Sequence, residues 1–366
     1  MANARRRLRR GEGLAGWLFT APVIVILGLF LLVPVLMAAW VSVSDWTGRG
    51  SPFAAGVNFI GGDNYVQILG GGGLAERDFG ISLKNNFWYV ILVVPLQTIV
   101  ALGLALLVNK RILRGRGFFR TAFYFPSVTS SVAITVLWLF LFTGSGAVNA
   151  VLSWVGINGP DWFNDPSGIF HFGATSGPEA LTGPTALGVS WWDWLGGPSV
   201  AMSAFVMLAV FTTGGTFMLL FLAALQNLSG EVQEAAEMDG ANAAQRFFRV
   251  TLPQLRPTLF TVITLGLIGC WQVFDQIYTG TQGQPGKTTL TPAYLSYTSA
   301  FDSNEWGRGA AIAFILFAII IVFTLVQRWV LAERKVSRRR MRWIEDARGD
   351  VAGVASDAAR VSGGAR

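Results

Sequence analysis

Two runs of polar residues interrupt otherwise apolar stretches of this sequence. The first is Thr212-Thr213-Gly214-Gly215-Thr216, and the second is Trp271-Gln272 followed by Asp275-Gln276. Hydroxyls, carboxamides and a carboxylate offer hydrogen-bond donors and acceptors, and an indole offers a flat apolar face. That set suits a neutral, polyhydroxylated solute held between helices. The same residue types also bond one helix to another, so both roles stay open for Thr212, Thr213, Thr216, Trp271, Gln272, Asp275 and Gln276. Other chemistry lacks its parts. The chain has one His, His171, and one Cys, Cys270. It therefore offers no Ser-His-Asp relay, no usual Cys/His metal site and no internal disulfide. The run Arg114-Gly115-Arg116-Gly117 lacks the Lys-Ser/Thr ending of a phosphate-binding loop. No catalytic residue, cofactor or metal is expected.

The elements that hold these residues follow from composition. The chain is 52% hydrophobic and 13% charged, with a mean hydropathy of +0.49. Soluble domains are about a quarter charged, so these values point to an integral membrane protein. Six apolar runs are predicted to span: residues 17–41, 87–108, 121–142, 200–225, 259–278 and 310–330. Pro22 and Pro34 are placed to bend the first. Gly214, Gly215 and the neighbouring threonines are expected to weaken the fourth. Segments 45–85, 143–197 and 280–304 read as external loops, with an interfacial helix over 148–155 and His171 as a surface residue. Tyr124 and Trp138 could line the same path as the polar runs, but read first as interface or lipid-facing aromatics. Beyond Trp343 no apolar periodicity remains, and the tail 333–366 reads as disordered.

A pI near 10 would suggest nucleic acid in a soluble protein. Here the basic residues flank apolar spans, and no nucleic-acid partner is expected. Of 28 Lys and Arg, all but Arg49, Arg77, Lys84, Lys287 and Arg308 fall within 1–15, 110–120, 246–256 or the stretch from Arg328 onward. The positive-inside rule puts those regions, and both termini, in the cytoplasm of a multi-pass cell-membrane protein.

The stretch 231–257, EVQEAAEMDGANAAQRFFRVTLPQLRP, is the polar insert between the fourth and fifth spans. Ser229 can cap a helix with Glu231 in its first turn. Val232, Ala235, Ala236 and Met238 then share a face. Gly240 can supply a left-handed stop. A second helical run over 241–250 carries Phe247 and Val250, and Pro253 and Pro257 are expected to close it. Two short helices should meet at an angle around Gly240 on the cytoplasmic surface.

Glu234-Ala235-Ala236, Asp239-Gly240-Ala241 and Leu252-Pro253, at this spacing, resemble the EAA loop of permease subunits of binding-protein-dependent ABC importers. FIGGDNYVQIL, at 59–69, resembles the segment after the first helix of carbohydrate permeases in that family. TQGQPGKTTL, at 281–290, resembles its Thr-Gly-Gly-Gly-Pro turn, with Gln284 departing from Gly. The resemblance covers roughly residues 15–332. It implies an all-α membrane protein with six transmembrane helices and the type I ABC importer permease fold, of the carbohydrate class similar to maltose-type and glycerol-3-phosphate-type permeases. The implied layout is a basic cytoplasmic N-terminus, 1–15, a permease domain, 16–332, with its coupling loop at 231–257, and a basic tail, 333–366. The implied partners are a second, distinct permease subunit, two ATPase subunits, an extracytoplasmic substrate-binding protein and membrane lipid. Glu234, Ala235, Ala236, Asp239, Gly240, Ala241, Leu252 and Pro253 would form the coupling surface, with Phe247 and Leu252 holding it to the membrane core. The chain would carry no ATPase site of its own. Another small polar solute such as glycerol-3-phosphate is an alternative cargo. An ion-coupled secondary carrier would want intramembrane carboxylates, and Asp275, near a span end, is the one candidate. A membrane-embedded transferase would want acidic or His clusters at an interface, and none is present in the sequence.

Overall fold

Pro34 breaks the first apolar run. Helix α1 (Ala2–Leu27) passes through Pro22 and gives way to a π-helical turn, Gly28–Leu32, before α2 (Val33–Ser42). Proline has no N–H to donate, and its ring crowds the carbonyl four residues back. A wider turn just before it absorbs both faults. This computed structural model describes residues 2–110, 114–171, 178–183 and 185–331. The predicted tail, 333–366, and the His171 side chain lie outside the described parts.

The segment 45–85 is not a plain loop. It holds α3 (Asp63–Gly70) and the first turns of α4 (Leu74–Asn109), which is 36 residues long. At 1.5 Å per residue that is about 54 Å, well beyond a bilayer core of about 30 Å. The extra turns are fixed by packing, since Phe79, Ser82, Asn85 and Asn86 are buried. The expected third span is a bent pair, α5 (Arg116–Val128) and α6 (Ser131–Leu141), meeting at 98°. Pro126 cannot donate, Thr129 takes an extended backbone, and Ser130 stands at the N-cap position of α6.

The long external segment is also ordered where it is described. Helix α7 (Ala147–Trp154) matches the expected short helix. Asn149 Nδ2 donates to the carbonyls of Gly144 and Pro160, both at 2.9 Å, and Trp162 Nε1 donates to Asn149 Oδ1. Helix α8 (Glu179–Thr182) is followed by a two-residue hairpin, β1 (Thr185–Ala186) and β2 (Val189–Ser190). Leu187 and Gly188 both have positive φ, as a hairpin turn of matching twist requires. That turn rests on α4 at Gly80, where an added Cβ would lie 2.1 Å from the Leu187 carbonyl oxygen. Ser190 then caps α9 (Trp191–Leu195).

Helix α10 (Val200–Gln226) runs unbroken through Thr212–Thr216, against expectation. Thr212 and Thr213 return their hydroxyls to the carbonyl of Ala209, and the Ser127 hydroxyl of α5 accepts from the Thr216 N–H and donates to the Thr212 carbonyl. Gly215 serves close approach instead: an added Cβ would lie 2.3 Å from the Phe123 carbonyl oxygen of α5. Four further helices lead out of the polar insert, α11 (Gly230–Met238), α12 (Ala243–Arg246), α13 (Leu252–Gln254) and α14 (Arg256–Trp271). The expected fifth span is broken after α14 and resumes as α15 (Asp275–Gly280). The segment 280–304 holds α16 (Pro292–Tyr297) and a π turn, Thr298–Asp302, and α17 (Trp306–Leu331) is the last helix described.

Among the described residues, five helical stretches are long and apolar enough to cross a membrane, and the bent α5–α6 pair makes a sixth if counted as one span. The described residues up to Thr324 form one compact unit, and those from Leu325 onward belong to a second. Within the first, α4 and α10 make the most extensive helix pair. Lipid is as apolar as a side chain, so close backbone approach and interhelical hydrogen bonds must hold such pairs. Ala101 and Ala105 of α4, and Ala201, Ala204 and Ala209 of α10, are all buried and keep the helices near each other.

Candidate functional site

The break between α14 and α15 frees carbonyls at Trp271 and Val273. Backbone groups opened inside a membrane must be satisfied by protein or by a wet cavity. Asn86 Nδ2 of α4 donates to the Trp271 carbonyl at 3.3 Å, and Thr291 Oγ1 donates to the Val273 carbonyl at 3.1 Å. Asn85 Nδ2 donates to the carbonyls of Lys287 and Leu290, at 2.8 and 3.0 Å. Lys287 Nζ pairs with Asp78 of α4 at 2.6 Å. Three side chains of α4 thus pin the break and the turn beyond it. Asp275, at the start of α15, is on the favourable end of that short helix.

At the break lies a pocket of about 320 Å³. Its polar lining comes from Thr212 and Thr213 of α10, from Gln272, Asp275 and Gln276 at the break, and from Tyr89 and Gln97 of α4. Five of the seven residues singled out from the sequence therefore meet in one place. Thr216 and Trp271 do not line it. Thr216 is exposed, and its backbone N–H donates to Ser127 Oγ of α5 at 3.2 Å. Trp271 is 1% exposed and packs on Phe323, with ring centroids 5.1 Å apart. Trp138 is half-buried rather than lipid-facing, since its Nε1 donates to the Ala204 carbonyl at 3.1 Å and its ring stacks on Phe142. Tyr124 is also half-buried. Gln97 was missed, although a lone carboxamide inside an apolar run is the same signal that marked Gln272.

A second polar pocket, of about 340 Å³, lies past the C-terminal end of α15. Thr143, Asp161 and Asn164 line it from the long external segment, and Thr281 and Gln284 from the turn. Gln284, which stands where the resemblance expects Gly, thus faces a cavity while its Oε1 accepts from the Gly286 N–H at 3.0 Å.

The polar insert forms a two-legged hairpin. Gly240 has φ +76°, its N–H reaches the Glu237 carbonyl, and the Ala241 N–H reaches the Ala236 carbonyl, each at 3.0 Å. This pair of bonds is the Schellman ending, which wants glycine at that position. Ser229 stands before α11 but makes no capping bond. The second leg starts later than predicted, at Ala243, because Asn242 and Gln245 form a reciprocal capping box. It does not end at the prolines. A π turn, Phe247–Thr251, opens ahead of Pro253, and Pro257 sits in the first turn of α14, where a missing N–H costs nothing. An Arg246–Glu237 ion pair and a 3.3 Å bond from Gln233 Nε2 to Thr251 Oγ1 join the legs. Phe247 and Leu252 are only half-buried. The anchor is Leu255, fully buried among Ala101, Ala105, Phe221 and Val262. Helix α11 buries none of its own residues, and Met238 is 88% exposed. Glu234 is exposed and makes no ion pair among the described residues. Ala235 and Asp239 are exposed, and Ala236 and Ala241 half-exposed.

Comparison with known proteins bears on the family and the fold. The family model described as "Binding-protein-dependent transport system inner membrane component" matches residues 97–336. The lactose transport system permease protein LacF of Rhizobium radiobacter is 31% identical over 336 residues, covering 91% of this chain and 99% of that protein. The trehalose/maltose transport system permease protein MalF of Thermococcus litoralis is 30% identical over 325 residues, covering 88% and 96%. Among solved structures, a chain of a bacterial ABC transporter involved in the import of the acidic polysaccharide alginate aligns with a TM-score of 0.67 at 20% identity, over 92% of this chain and 99% of that one. The fold is that of a type I ABC importer permease, and this multi-pass membrane chain belongs to the family of inner-membrane components of binding-protein-dependent transport systems.

Proposed function

We propose that this chain is the transmembrane permease subunit of an ATP-driven carbohydrate importer, with the solute crossing through the pocket at the α14–α15 break. The observation that carries this reading is the meeting of Thr212, Thr213, Gln272, Asp275 and Gln276 around one cavity at membrane depth. Hydroxyls and carboxamides match a sugar's alternating donors and acceptors without a fixed cationic group to favour an anion. The names of similar proteins support the class, since they include lactose, trehalose/maltose and arabinooligosaccharide permeases.

Transport against a gradient needs energy, and the hairpin is the element suited to receive it. Glu234 is free to pair with a basic residue of an ATPase subunit. Ala235 and Ala236 allow close approach, Asp239, Gly240 and Ala241 fix the bend, and Leu252 and Pro253 lead the chain back to Leu255. Two ATPase subunits would act on this hairpin and on its counterpart in a second, distinct permease subunit. Their closure would turn the cavity outward, and hydrolysis would return it inward, each state stabilised by differential binding. An extracytoplasmic binding protein would deliver the sugar. Support for that partner comes from the aligned alginate transporter, solved in complex with an alginate pentasaccharide-bound periplasmic protein. Residues 16–332 would form the permease domain, with cytoplasmic flanks at 1–15 and 333–366.

The test is purification and uptake. Tagged chain should bring down the ATPase, and the double variant Thr212→Val/Gln272→Leu should cut uptake at limiting sugar by about 10-fold while the ATPase still co-purifies. Full uptake by the double variant would remove this pocket from the solute path.

A further inference from the structure

Gln97 lines the pocket from α4 and is 0% exposed. Thr213 Oγ1 lies 2.8 Å from Gln97 Oε1 and 2.7 Å from the Ala209 carbonyl oxygen. A hydroxyl has one proton and cannot donate to both. The two ends of a carboxamide have nearly the same outline, and turning the group over removes the conflict. Nε2 then donates to Thr213 Oγ1, and Thr213 donates to Ala209. Oε1 takes the place of the amide terminus that has no partner. That place faces Gly266 of α14, where an added Cβ would lie 2.2 Å from the amide terminus. One turn on, Gly269 borders open space, with nothing within 4 Å of an added Cβ. The α14 wall is thus cut back to glycine beside the amide. Thr213 fixes which way the amide points, and a buried acceptor is left without a donor, which native interiors rarely tolerate without a use.

We propose that the Gln97 carboxamide selects the substrate: its oxygen accepts a hydrogen bond from a carbohydrate hydroxyl when α14 draws back during transport. This rests on the reading of the pocket as the solute path. Because Thr213 holds the N–H end, the free end can accept but not donate. The site therefore favours a solute that presents a hydroxyl there and disfavours one in which that hydroxyl is methylated.

The test uses the whole transporter in proteoliposomes, with its ATPase and binding protein. Radiolabelled lactose, maltose, trehalose and arabinotriose are offered, and the one imported fastest becomes the probe. Gln97→Met keeps the length and removes the acceptor, and it should raise the uptake KM about tenfold, the effect of one hydrogen bond. Thr213→Val frees the amide to turn and should raise KM by less, whereas Thr213→Ser, which keeps the hydroxyl, should restore the parent KM. A purely structural role would lower the yield of assembled complex and leave KM alone. If Gln272→Leu raises KM and Gln97→Met does not, this inference fails and the pocket stands. If neither does, the pocket reading fails. Should Gln97→Met not assemble, a parental KM in Thr213→Val overturns the proposal and a raised one supports it. A parent complex that imports none of the four sugars overturns the carbohydrate reading and this inference together.

Discussion

Asn85 and Asn86 show what a single polar side chain can decide at membrane depth. They are 2% and 0% exposed, and each is spent on backbone carbonyls that a broken helix and a tight turn leave open. Replacing Asn85 by Leu keeps the volume but strands the Leu290 carbonyl and leaves the Lys287 carbonyl with only the Leu290 N–H. At about 1–3 kcal/mol for an unsatisfied buried group, Asn85→Leu should cost roughly 1–3 kcal/mol. Thermal unfolding in detergent would show a clearly lower Tm, and a variant as stable as the parent would mean that water reaches those carbonyls. The pocket residues Thr212, Thr213, Gln272, Asp275 and Gln276 were legible in sequence because polar types stand out in apolar runs. Asn85 and Asn86 were not, because they fall at the margin of the predicted span, where asparagine reads as loop. Trp271 looked like a binding surface by type, yet packing on Phe323 claimed it. Residue type announces what a group can do, and only the neighbours decide whether a cavity or a core receives it.

At the scale of elements, the bend of the hairpin was legible and its second leg was not. A glycine after an amphipathic run is a local signal, and Gly240 does close a Schellman ending at φ +76°. The π turn Phe247–Thr251 arises from a mismatch between Pro253 and the helix before it, and a helical reading that stops at each proline has no means to place it. The same limit hid the π turn ahead of Pro34. Gly240→Pro attacks the legible part directly. Proline holds φ near −65° and lacks the N–H that reaches the Glu237 carbonyl, so the bend cannot form. The variant should insert in the membrane at normal levels, because Leu255 and the spans are untouched, yet lose co-purification with the ATPase. Gly240→Ala should retain assembly at a cost of about 1–2 kcal/mol for a left-handed alanine. Normal uptake by Gly240→Pro would show that energy enters elsewhere.

For the whole molecule, hydropathy gave the count of apolar stretches but not their direction. A window of composition cannot tell a straight span from the 98° pair α5 and α6, since both contain the same residues. Nor could it see that α4 continues outward as a helix, because the outer turns are held by tertiary packing of Phe79 and Ser82 rather than by their own apolarity. Orientation rests on a different signal, the placement of Lys and Arg along the chain. If that signal governs, the hairpin residue Gln245 faces the cytoplasm, and Asp63 of α3 and Gln284 of the turn face the opposite side. The chain allows a clean test, because its lone Cys270 is buried and Cys270→Ser removes the background. In that background, Gln245→Cys should react with a membrane-impermeant maleimide only in inside-out vesicles or opened cells. Asp63→Cys and Gln284→Cys, both at exposed positions, should react in intact spheroplasts. Labelling of Gln245→Cys from outside would place the hairpin beyond the reach of any cytoplasmic ATPase, and the proposed coupling would fail at the scale of the whole chain while the pocket geometry remained intact.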